Sequence, residues 1–387
     1  MAYDATNPIV PKKPGIESRY RSKQVPITTF IEDYIDGRVD LAVDFRDFLN
    51  QRNKFIKYSL VADHLKFIVT RFIPEITIHS KAQDERIVRD HYDRGNDFFA
   101  SFLGDRMIYT SAFFKTGEED LETAQDQKMD LVCRKIQMER GDRHLDIGCG
   151  WGTLAMHAAR DYGTDSTGVT LAQDGTDYGN AQIARNGVSD HARIIRSDYR
   201  DIPNTKFDKI TCLEMAEHVG IKNFLKFMKQ INGLLEDDGL FYLQIAGLRA
   251  RTGMFSGLNM EDIVWGLFMS KYIFPGADAS MPLSFVVKNL EKAGFEIHSV
   301  ENVGIHYSRT IDLWYDNWMR NKSTIVNKYG ERWFRLWQVF LGWSVHIAAQ
   351  GASTCFQLVC NKNLDEFNRK RWFSGVALGE RDLELVD

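Results

Sequence analysis

Residues 144–154 (HLDIGCGWGTL) form the stretch of this sequence whose residue types and spacing could do chemistry. A short apolar run contains Asp146, glycines follow at positions 148, 150 and 152, and Thr153 can begin a helix. Glycine has no Cβ, so the backbone can pass close to a ligand. A helix start adds unpaired N–H groups and a positive dipole end. The stretch therefore predicts a ligand-binding loop; the alternative is a tight strand-to-helix turn without a ligand.

The glycine spacing narrows the kind of ligand. Asp-x-Gly-x-Gly-x-Gly differs from the Gly-x-Gly-x-x-Gly of dinucleotide-binding proteins, and no Lys-Ser or Lys-Thr pair follows as in a P-loop. The spacing resembles the first motif of Rossmann-like class I methyltransferases, which hold S-adenosylmethionine (SAM). That resemblance implies an α/β fold with SAM bound at the glycine loop.

Strand and helix patterns alternate regularly after this loop. Further strands are predicted at residues 165–170, 193–196, 207–213 and 239–246. The alternation is typical of a mostly parallel, doubly wound sheet. Ligands of such sheets bind beyond the carboxyl ends of the strands. That rule predicts that the residues at the ends of these strands lie around one crevice. They are Asp146, Thr170, Leu171, Asp198, Tyr199, Glu214, Glu217, His218 and Gln244.

Other segments surround this sheet domain, which is predicted at residues 121–363. Residues 1–24 have the composition of a polar, disordered tail, and residues 364–387 are a second tail. Residues 25–120 are predicted to form an N-terminal helical cap and a segment that contributes to the active site. Within the sheet domain we expect an aromatic helical insertion at residues 250–282 and C-terminal helices at residues 311–349.

Basic residues interleave the apolar positions of the predicted cap: Arg52, Lys54, Lys57, Lys66 and Arg71. One interpretation is a basic amphipathic surface that contacts a membrane or a lipid substrate. The other is a cap that packs on the main domain and leaves a solvated basic face. We favour the second because such faces are common. Peripheral contact with an internal membrane stays open.

Composition excludes several classes of function. The chain has 387 residues, of which 44% are hydrophobic, and a net charge of −4, so nothing global suggests nucleic-acid binding. The five cysteines form no C-x-x-C pair and show no zinc spacing, which favours reduced thiols in the cytoplasm and no metal. The longest run without a charged residue, 336–361, breaks at Gln350-Gly351 and favours a buried helix and a core strand over a membrane span.

Several motifs outside the glycine loop resemble one enzyme family. His91-Tyr92-Asp93, Tyr109-Thr110-Ser111, residues 145–152, Glu217-His218 and His306-Tyr307 resemble the cyclopropane-fatty-acid and mycolic-acid cyclopropane synthases. Residues 211–220, 243–249 and 271–280 are more similar to the fungal sphingolipid 9-methyltransferases. The resemblance extends from about residue 25 to residue 363.

This resemblance implies a set of SAM-binding residues. Tyr109 and Thr110 would border the methionine end of SAM, the glycines would pass beneath it, Thr170 and Leu171 would meet ribose and adenine, and Asp198 and Tyr199 would hold the adenine. The predicted cofactor-binding residues are Tyr109, Thr110, Asp146, Gly148, Cys149, Gly150, Gly152, Thr170, Leu171, Asp198 and Tyr199.

The resemblance also implies a catalytic group. Cyclopropane synthases hold a bicarbonate base among a Cys, a Glu, a His and a Tyr; the matching residues here are Ser111, Glu217, Gln244 and Tyr307, which we predict to be catalytic. Replacement of the Cys and the His weakens the case for bicarbonate. The resemblance to the sphingolipid enzymes, which show the same Ser and Gln, implies methyl branching in place of ring closure. Glu217, after the fourth strand, is then the candidate base. Its alternative role is a carboxylate at a helix N-terminus.

The predicted function is SAM-dependent methylation of a lipid-like alkene, such as an unsaturated sphingoid base. The alternatives are N-, O- or C-methylation of a soluble specialised metabolite and a non-catalytic module that binds SAM or lipid. Two departures from the sphingolipid enzymes bear on this choice. The sequence lacks their N-terminal membrane-spanning segments, and Gly175 stands where the family has a Gln near the adenosine.

Overall fold

The structure is a computed structural model, and it describes residues 7–21, 24–68, 70, 94–249, 259–275, 281–365 and 369. Several sequence predictions lie outside these residues: the His91-Tyr92-Asp93 motif, Arg71, residues 250–258 of the insertion, residues 276–280 of the third sphingolipid-enzyme motif, residues 1–6, 22 and 23 of the N-terminal tail and nearly all of the C-terminal tail. Residues 7–21 are described and include the strand Ile9–Pro11 and the helix Glu17–Tyr20, where a disordered tail was predicted.

The strands of the described chain form one large sheet and two small ones. They are β1 (Ile9–Pro11), β2 (Val25–Pro26), β3 (Val39–Leu41), β4 (Ile56–Lys57), β5 (Arg143–Ile147), β6 (Asp165–Thr170), β7 (Ala192–Arg196), β8 (Phe207–Leu213), β9 (Leu235–Leu248), β10 (Phe295–Asn302) and β11 (Ser353–Lys362).

The helices divide into an N-terminal group, a group flanking the sheet and a C-terminal group. They are α1 (Glu17–Tyr20), α2 (Ile27–Ile35), α3 (Phe45–Asn50), α4 (Ala62–Phe67), α5 (Asn96–Leu103), α6 (Leu121–Lys135), α7 (Thr153–His157), α8 (Gln173–Arg185), α9 (Ile221–Leu234), α10 (Met260–Phe268), α11 (Leu283–Lys292), α12 (Gly304–Arg320), α13 (Lys322–Tyr329) and α14 (Glu331–Ala349).

The large sheet has seven strands in the order β10-β11-β9-β8-β5-β6-β7. Strands β9, β8, β5, β6 and β7 are parallel neighbours, and β11 pairs antiparallel with both β9 and β10. The chain reverses direction along the sheet at β5, where it first moves outward to β6 and β7 and then returns through β8. This arrangement confirms the predicted mostly parallel, doubly wound α/β fold, and β5 lies at the point where ligands of such sheets bind.

The N-terminal helices pack on the C-terminal ones. Tyr34 of α2 donates to the Gln338 side chain of α14 at 2.7 Å, and Arg46 of α3 pairs with Asp312 of α12. Arg52, which the sequence placed on a solvated basic face, instead donates to both carboxylate oxygens of Glu261 in α10 at 2.9 Å. This side chain is only 13% exposed. The cap is thus tied to the aromatic insertion by a mostly buried ion pair.

An aromatic core lies between the cap and the C-terminal helices. Trp314, Trp318, Trp337 and Trp343 are all buried to 1% exposure or less, and they pack with phenylalanines of α2, α3 and α5. A second core lies between the sheet and helices α9 and α11. Within the described ranges, no helix combines the length and the apolar character that crossing a membrane requires.

Candidate active site

A crevice of about 920 Å³ opens beyond the carboxyl ends of β5, β6 and β8. Five predicted cofactor-binding residues line it: Gly148, Gly150, Thr170, Leu171 and Tyr199. Further lining residues follow the same strand ends or face them: Asn96, Trp151, Asp174, Gly175, Ser197, Arg200, Glu214, Met215 and His218. Of the nine residues that the strand-end rule placed around one crevice, five line this one: Thr170, Leu171, Tyr199, Glu214 and His218.

The glycine loop has the shape of a cradle. Gly148, Gly150 and Gly152 all have positive φ values, of 78°, 57° and 76°. A Cβ on Gly148 would lie 2.3 Å from Met215 Cγ, whereas a Cβ on Gly150 would meet no atom within 4 Å. Gly148 is thus required by packing, and the open side of Gly150 faces the crevice that it lines.

Two other predicted residues lie beside the crevice rather than in its wall. The Asp198 carboxylate accepts three hydrogen bonds from Arg200, through its backbone N–H at 2.8 Å and its guanidinium at 2.6 and 2.7 Å. Cys149 packs behind the loop, where its Sγ would lie 2.7 Å from a Cβ on Gly168. Burial raises the pKa of this thiol well above its usual range.

A small cavity continues from the loop toward α6, lined by Tyr109, Thr110, Lys128, Asp146 and Glu214 among others. Lys128 is 1% exposed, and its ammonium donates to Thr110 Oγ1 at 3.0 Å. Burial lowers the pKa of Lys128 to about 8, although the charges of Glu214 and Asp146 oppose the shift. Asp146 accepts from Thr211 Oγ1 at 2.7 Å, and burial raises its pKa to about 6. This cavity holds a lysine able to bind an anion.

An apolar cavity of about 840 Å³ lies on the other side of Glu214. Its wall combines residues of α10, α12 and α14 with the segment after α10: Trp265, Met269, Phe274, Ile311, Trp314, Phe340, Ile347 and Ala348. Glu214 and His218 line both this cavity and the crevice. Tyr109 and the predicted catalytic residues Glu217 and Tyr307 also line it. Two ligands, one in each space, would therefore meet at Glu214 and His218.

The surroundings of Glu217 favour the protonated form of its carboxyl group. Its Oε1 accepts from the Ala246 N–H at 2.5 Å, while Oε2 is buried and has no hydrogen-bond partner among the described residues. Burial, together with the nearby charge of Glu214, raises the pKa of Glu217 to about 8. Burial also lowers the pKa of the adjacent His218 to about 4, so this histidine is neutral at pH 7.

The Glu214 carboxylate accepts hydrogen bonds from the other two predicted catalytic residues, Ser111 and Gln244. Its Oε1 accepts from the Ser111 backbone N–H at 2.8 Å, from Gln244 Nε2 at 2.6 Å and from Cys355 Sγ at 3.7 Å. Burial raises the pKa of Glu214, and these donors oppose the shift. The Ser111 hydroxyl itself donates to the Ala112 carbonyl at 3.1 Å. Ser111 and Gln244 thus act on a carboxylate of the chain.

Sequence reasoning missed Lys128 and gave Glu214 no definite role. Lys128 lies on the buried face of α6, with Gln125, Met129 and Val132 at helical spacing, and a lysine within such a face was the available signal. Glu214 has a φ of +52°, which is uncommon for a residue other than glycine and is not visible in a sequence. Among the described residues, no group of His, Cys, Asp and Glu is arranged to hold a metal ion.

Comparison with known proteins places this geometry in a family. The family model described as mycolic acid cyclopropane synthetase matches residues 79–358. A sphingolipid C9-methyltransferase of Komagataella phaffii is 47% identical over 371 residues, which cover 93% of this chain and 75% of that protein.

Two solved structures share the fold over most of the chain. The cyclopropane synthase MmaA2 from Mycobacterium tuberculosis has a TM-score of 0.69 at 26% identity, over 72% of this chain and 98% of the other. The mycolic acid cyclopropane synthase CmaA1, complexed with SAH and CTAB, has a TM-score of 0.68 at 25% identity, over 74% of this chain and all of the other.

Proposed function

Because the chain belongs to the mycolic acid cyclopropane synthetase family and is a SAM-dependent methyltransferase, we propose that it methylates an unsaturated carbon of a lipid acceptor. The proposed acceptor class is the sphingoid base, which the name of the 47% identical relative supports. A lipid acceptor is reached at a membrane surface, so the proposal includes peripheral contact with an internal membrane from the cytoplasm. The single observation that carries the proposal is the apolar cavity that meets the crevice at Glu214.

The crevice supports SAM as its ligand. The open backbone at Gly150 allows close approach, and Thr170, Leu171 and Tyr199 line the end of the crevice beyond β6 and β7. In this proposal the latter three bind the ribose and adenine. Gly175 has a packing role here, because a Cβ on it would lie 2.6 Å from the Gly150 carbonyl oxygen. Helix α8 can therefore approach the glycine loop closely.

Lys128 supplies a partner for the methionine end of SAM. An ammonium has three N–H donors, and the hydrogen bond to Thr110 uses one of them. The methionine moiety carries a carboxylate, and a buried cation binds such a group strongly in a water-poor cavity. Asp146 and Thr110 line the same cavity and could accept from the methionine ammonium. We assign the small cavity beside α6 to this end of the cofactor.

The acceptor cavity supports a lipid that also carries polar groups. Most of its wall is aromatic or aliphatic, which suits a hydrocarbon chain. Four polar atoms of wall residues, however, are buried without hydrogen-bond partners among the described residues: Glu217 Oε2, Trp265 Nε1, Trp314 Nε1 and Ser344 Oγ. Buried polar atoms are normally paired. An acceptor with hydroxyl or amino groups, as a sphingoid base has, would pair some of them.

The carboxyl groups of the site suit methylation of an alkene. Bound SAM supplies an electrophilic methyl group and keeps the electron pair of the broken S–C bond. An alkene that uses its π electrons to form the new C–C bond becomes cationic at the neighbouring carbon. The double bond forms again when the methylated carbon loses its proton. The electron pair of that C–H bond then becomes the π bond to the cationic carbon. Glu217 lines the cavity with an oxygen that no described residue hydrogen-bonds, and it accepts that proton in our proposal. The aromatic wall excludes water from the cation.

Incubation with methyl-labelled SAM tests this function directly. The purified protein is given an unsaturated sphingoid base, the matching saturated base or a polar metabolite extract, and the products are analysed by mass spectrometry. We expect label in the unsaturated base alone. Equal labelling of both bases would indicate methylation at nitrogen or oxygen, and label only in the metabolite extract would establish a soluble acceptor. Either result would reject the alkene assignment.

A further inference from the structure

The donors that the family resemblance assigns to bicarbonate do not fit that ion in this chain. Of the four matching residues, Ser111 directs its hydroxyl to the Ala112 carbonyl, and Gln244 directs its amide N–H to Glu214. The Gln244 side-chain oxygen accepts from Gln357 Nε2 at 3.2 Å. Both polar ends of this amide are therefore used within the protein. The site offers bicarbonate few of the donors that it needs.

The carboxylate of Glu214 is held as a bound anion would be. One of its oxygens receives a backbone N–H from the segment before α6, an amide N–H from β9 and a thiol from β11. A backbone N–H can only donate, so this contact favours the ionised carboxylate. The buried Lys128 of α6 lines the same small cavity, and its charge opposes the burial that raises the pKa of Glu214. Three separate parts of the fold thus converge on a single oxygen.

Glu214 has an uncommon backbone conformation, which positions its side chain. Glu214 follows β8 with a φ of +52°, and its N–H donates to the Gln244 carbonyl at 2.7 Å. A left-handed conformation in a non-glycine residue marks a constrained position. The result is a side chain that lines the crevice, the apolar cavity and the small cavity together. An anion at this junction faces both reaction partners.

We propose that the Glu214 carboxylate takes the place of bicarbonate in this enzyme, so that the chain carries its own anion and works without added bicarbonate. The inference rests on the proposed function and deepens it. Glu214 stays ionised and stabilises the positive charge that develops on the acceptor, while Glu217 accepts the proton. No exchangeable co-reactant is then required at the site.

Chemical rescue of Glu214→Gly tests the inference. Glycine adopts a positive φ readily, so this variant removes the carboxylate and leaves the backbone relaxed. In CO₂-free buffer we expect methylation of the unsaturated sphingoid base to fall roughly 10²-fold, the cost of losing one preorganised electrostatic group. Bicarbonate at millimolar concentration should then raise the rate of this variant roughly tenfold or more by entering the vacated space. The wild-type rate should be the same with and without bicarbonate.

Glu214→Gln is the matched control, because it fills the same space without the charge. The Glu214→Gln variant should methylate the unsaturated base slowly both in CO₂-free buffer and with bicarbonate, and bicarbonate should not raise its rate. A wild-type enzyme that bicarbonate stimulates would overturn the inference, even if neither variant folds. So would a Glu214→Gly variant that works at the wild-type rate without bicarbonate, or one that binds S-adenosylhomocysteine normally but is not rescued. Wild-type turnover of the base tests the proposed function separately, because the inference depends only on the ratio of the rates in the two buffers.

Discussion

The side-chain amide of Gln244 donates a 2.6 Å hydrogen bond to the carboxylate of Glu214. Glu214 directly follows β8, and Gln244 lies in the neighbouring parallel strand β9, where it is paired with Leu213. This contact gives Glu214 a side-chain donor. Glu217, three residues later, accepts one hydrogen bond at Oε1 and has no partner at Oε2 in the described part of the chain. Two carboxyl groups in different environments can divide their roles at one site, here charge stabilisation by Glu214 and proton acceptance by Glu217.

Replacement of the proposed base should stop alkene methylation. Glu217→Gln keeps the shape of the side chain but cannot accept a proton, so we expect kcat to fall about 10²- to 10⁴-fold. Binding of S-adenosylhomocysteine, measured by calorimetry, should change little because Glu217 lines the apolar cavity and not the crevice. Glu291→Gln, on the exposed face of α11, is the control and should behave as wild type. Wild-type turnover by Glu217→Gln would exclude Glu217 as the base.

The rate of methylation should depend on pH through the same residue. The pKa of Glu217 is raised to about 8, and the carboxylate is the base form, so kcat should rise with pH below about 8 and then level off. Tyr307, Cys355, Cys212 and His218 do not titrate in this range, because burial raises the pKa of the first three well above its usual range and lowers that of His218 to about 4. Burial lowers the pKa of Lys128 to about 8 and raises that of Asp146 to about 6, and both line the small cavity assigned to SAM, so kcat is measured at saturating SAM.

Glu214→Gln provides the control for this assignment. Since the charge of Glu214 helps to raise the pKa of Glu217, its removal should move the rising limb of the pH profile to lower pH. A profile that is flat between about pH 6 and pH 8, well above the ordinary glutamate pKa, would contradict the assignment of Glu217.

Loss of the buried lysine should weaken SAM binding selectively. Lys128→Met preserves an unbranched buried side chain and removes its charge, so KM for SAM should rise roughly 10- to 100-fold, as expected for a hydrogen bond to a charged group. The KM for the acceptor should stay nearly constant, because Lys128 does not line the apolar cavity. Lys226→Met, at an exposed position of α9, serves as the control. An unchanged KM for SAM would remove Lys128 from the cofactor site.

A single methyl group on Gly175 should disturb the glycine loop. The Cβ of Gly175→Ala would lie 2.6 Å from the Gly150 carbonyl oxygen, a backbone atom that can move only with the loop. We expect the dissociation constant for S-adenosylhomocysteine to rise about tenfold, the effect of ~1.4 kcal/mol. The matched variant Gly233→Ala places its Cβ in open space on α9 and should leave binding unchanged. Equal binding by both variants would show that the close approach of α8 is unimportant.

Much of the sheet could be predicted because buried parallel strands have simple patterns. Residues 165–170 and 207–213 were predicted as strands and are β6 and β8 with the same bounds. Strand β9 was predicted from residue 239 but begins at Leu235, because Glu236, Asp237 and Asp238 interrupt the apolar pattern although Leu235 already pairs with Phe207. Register with a neighbouring strand is a tertiary property, and local composition does not reveal it.

The candidate site was predictable only as a set of loops. The strand-end rule gathered Thr170, Tyr199, Glu214 and Glu217 because it depends on topology alone. It could not show that Gln244 contacts Glu214 instead of a ligand, since that contact depends on side-chain rotamers and on the positive φ at residue 214. Nor could it assign Lys128, whose burial follows from the packing of α6 against the small cavity.

The most direct test uses an unsaturated sphingoid base that carries deuterium on both alkene carbons, with mass spectrometry and NMR of the product. Methyl branching with proton loss predicts a new methyl group on an alkene carbon, a retained double bond and the loss of one deuterium. A cyclopropane product that keeps both deuterium atoms would contradict the account, because ring closure takes the proton from the transferred methyl group. A nitrogen- or oxygen-methylated product with both deuterium atoms would contradict it as well.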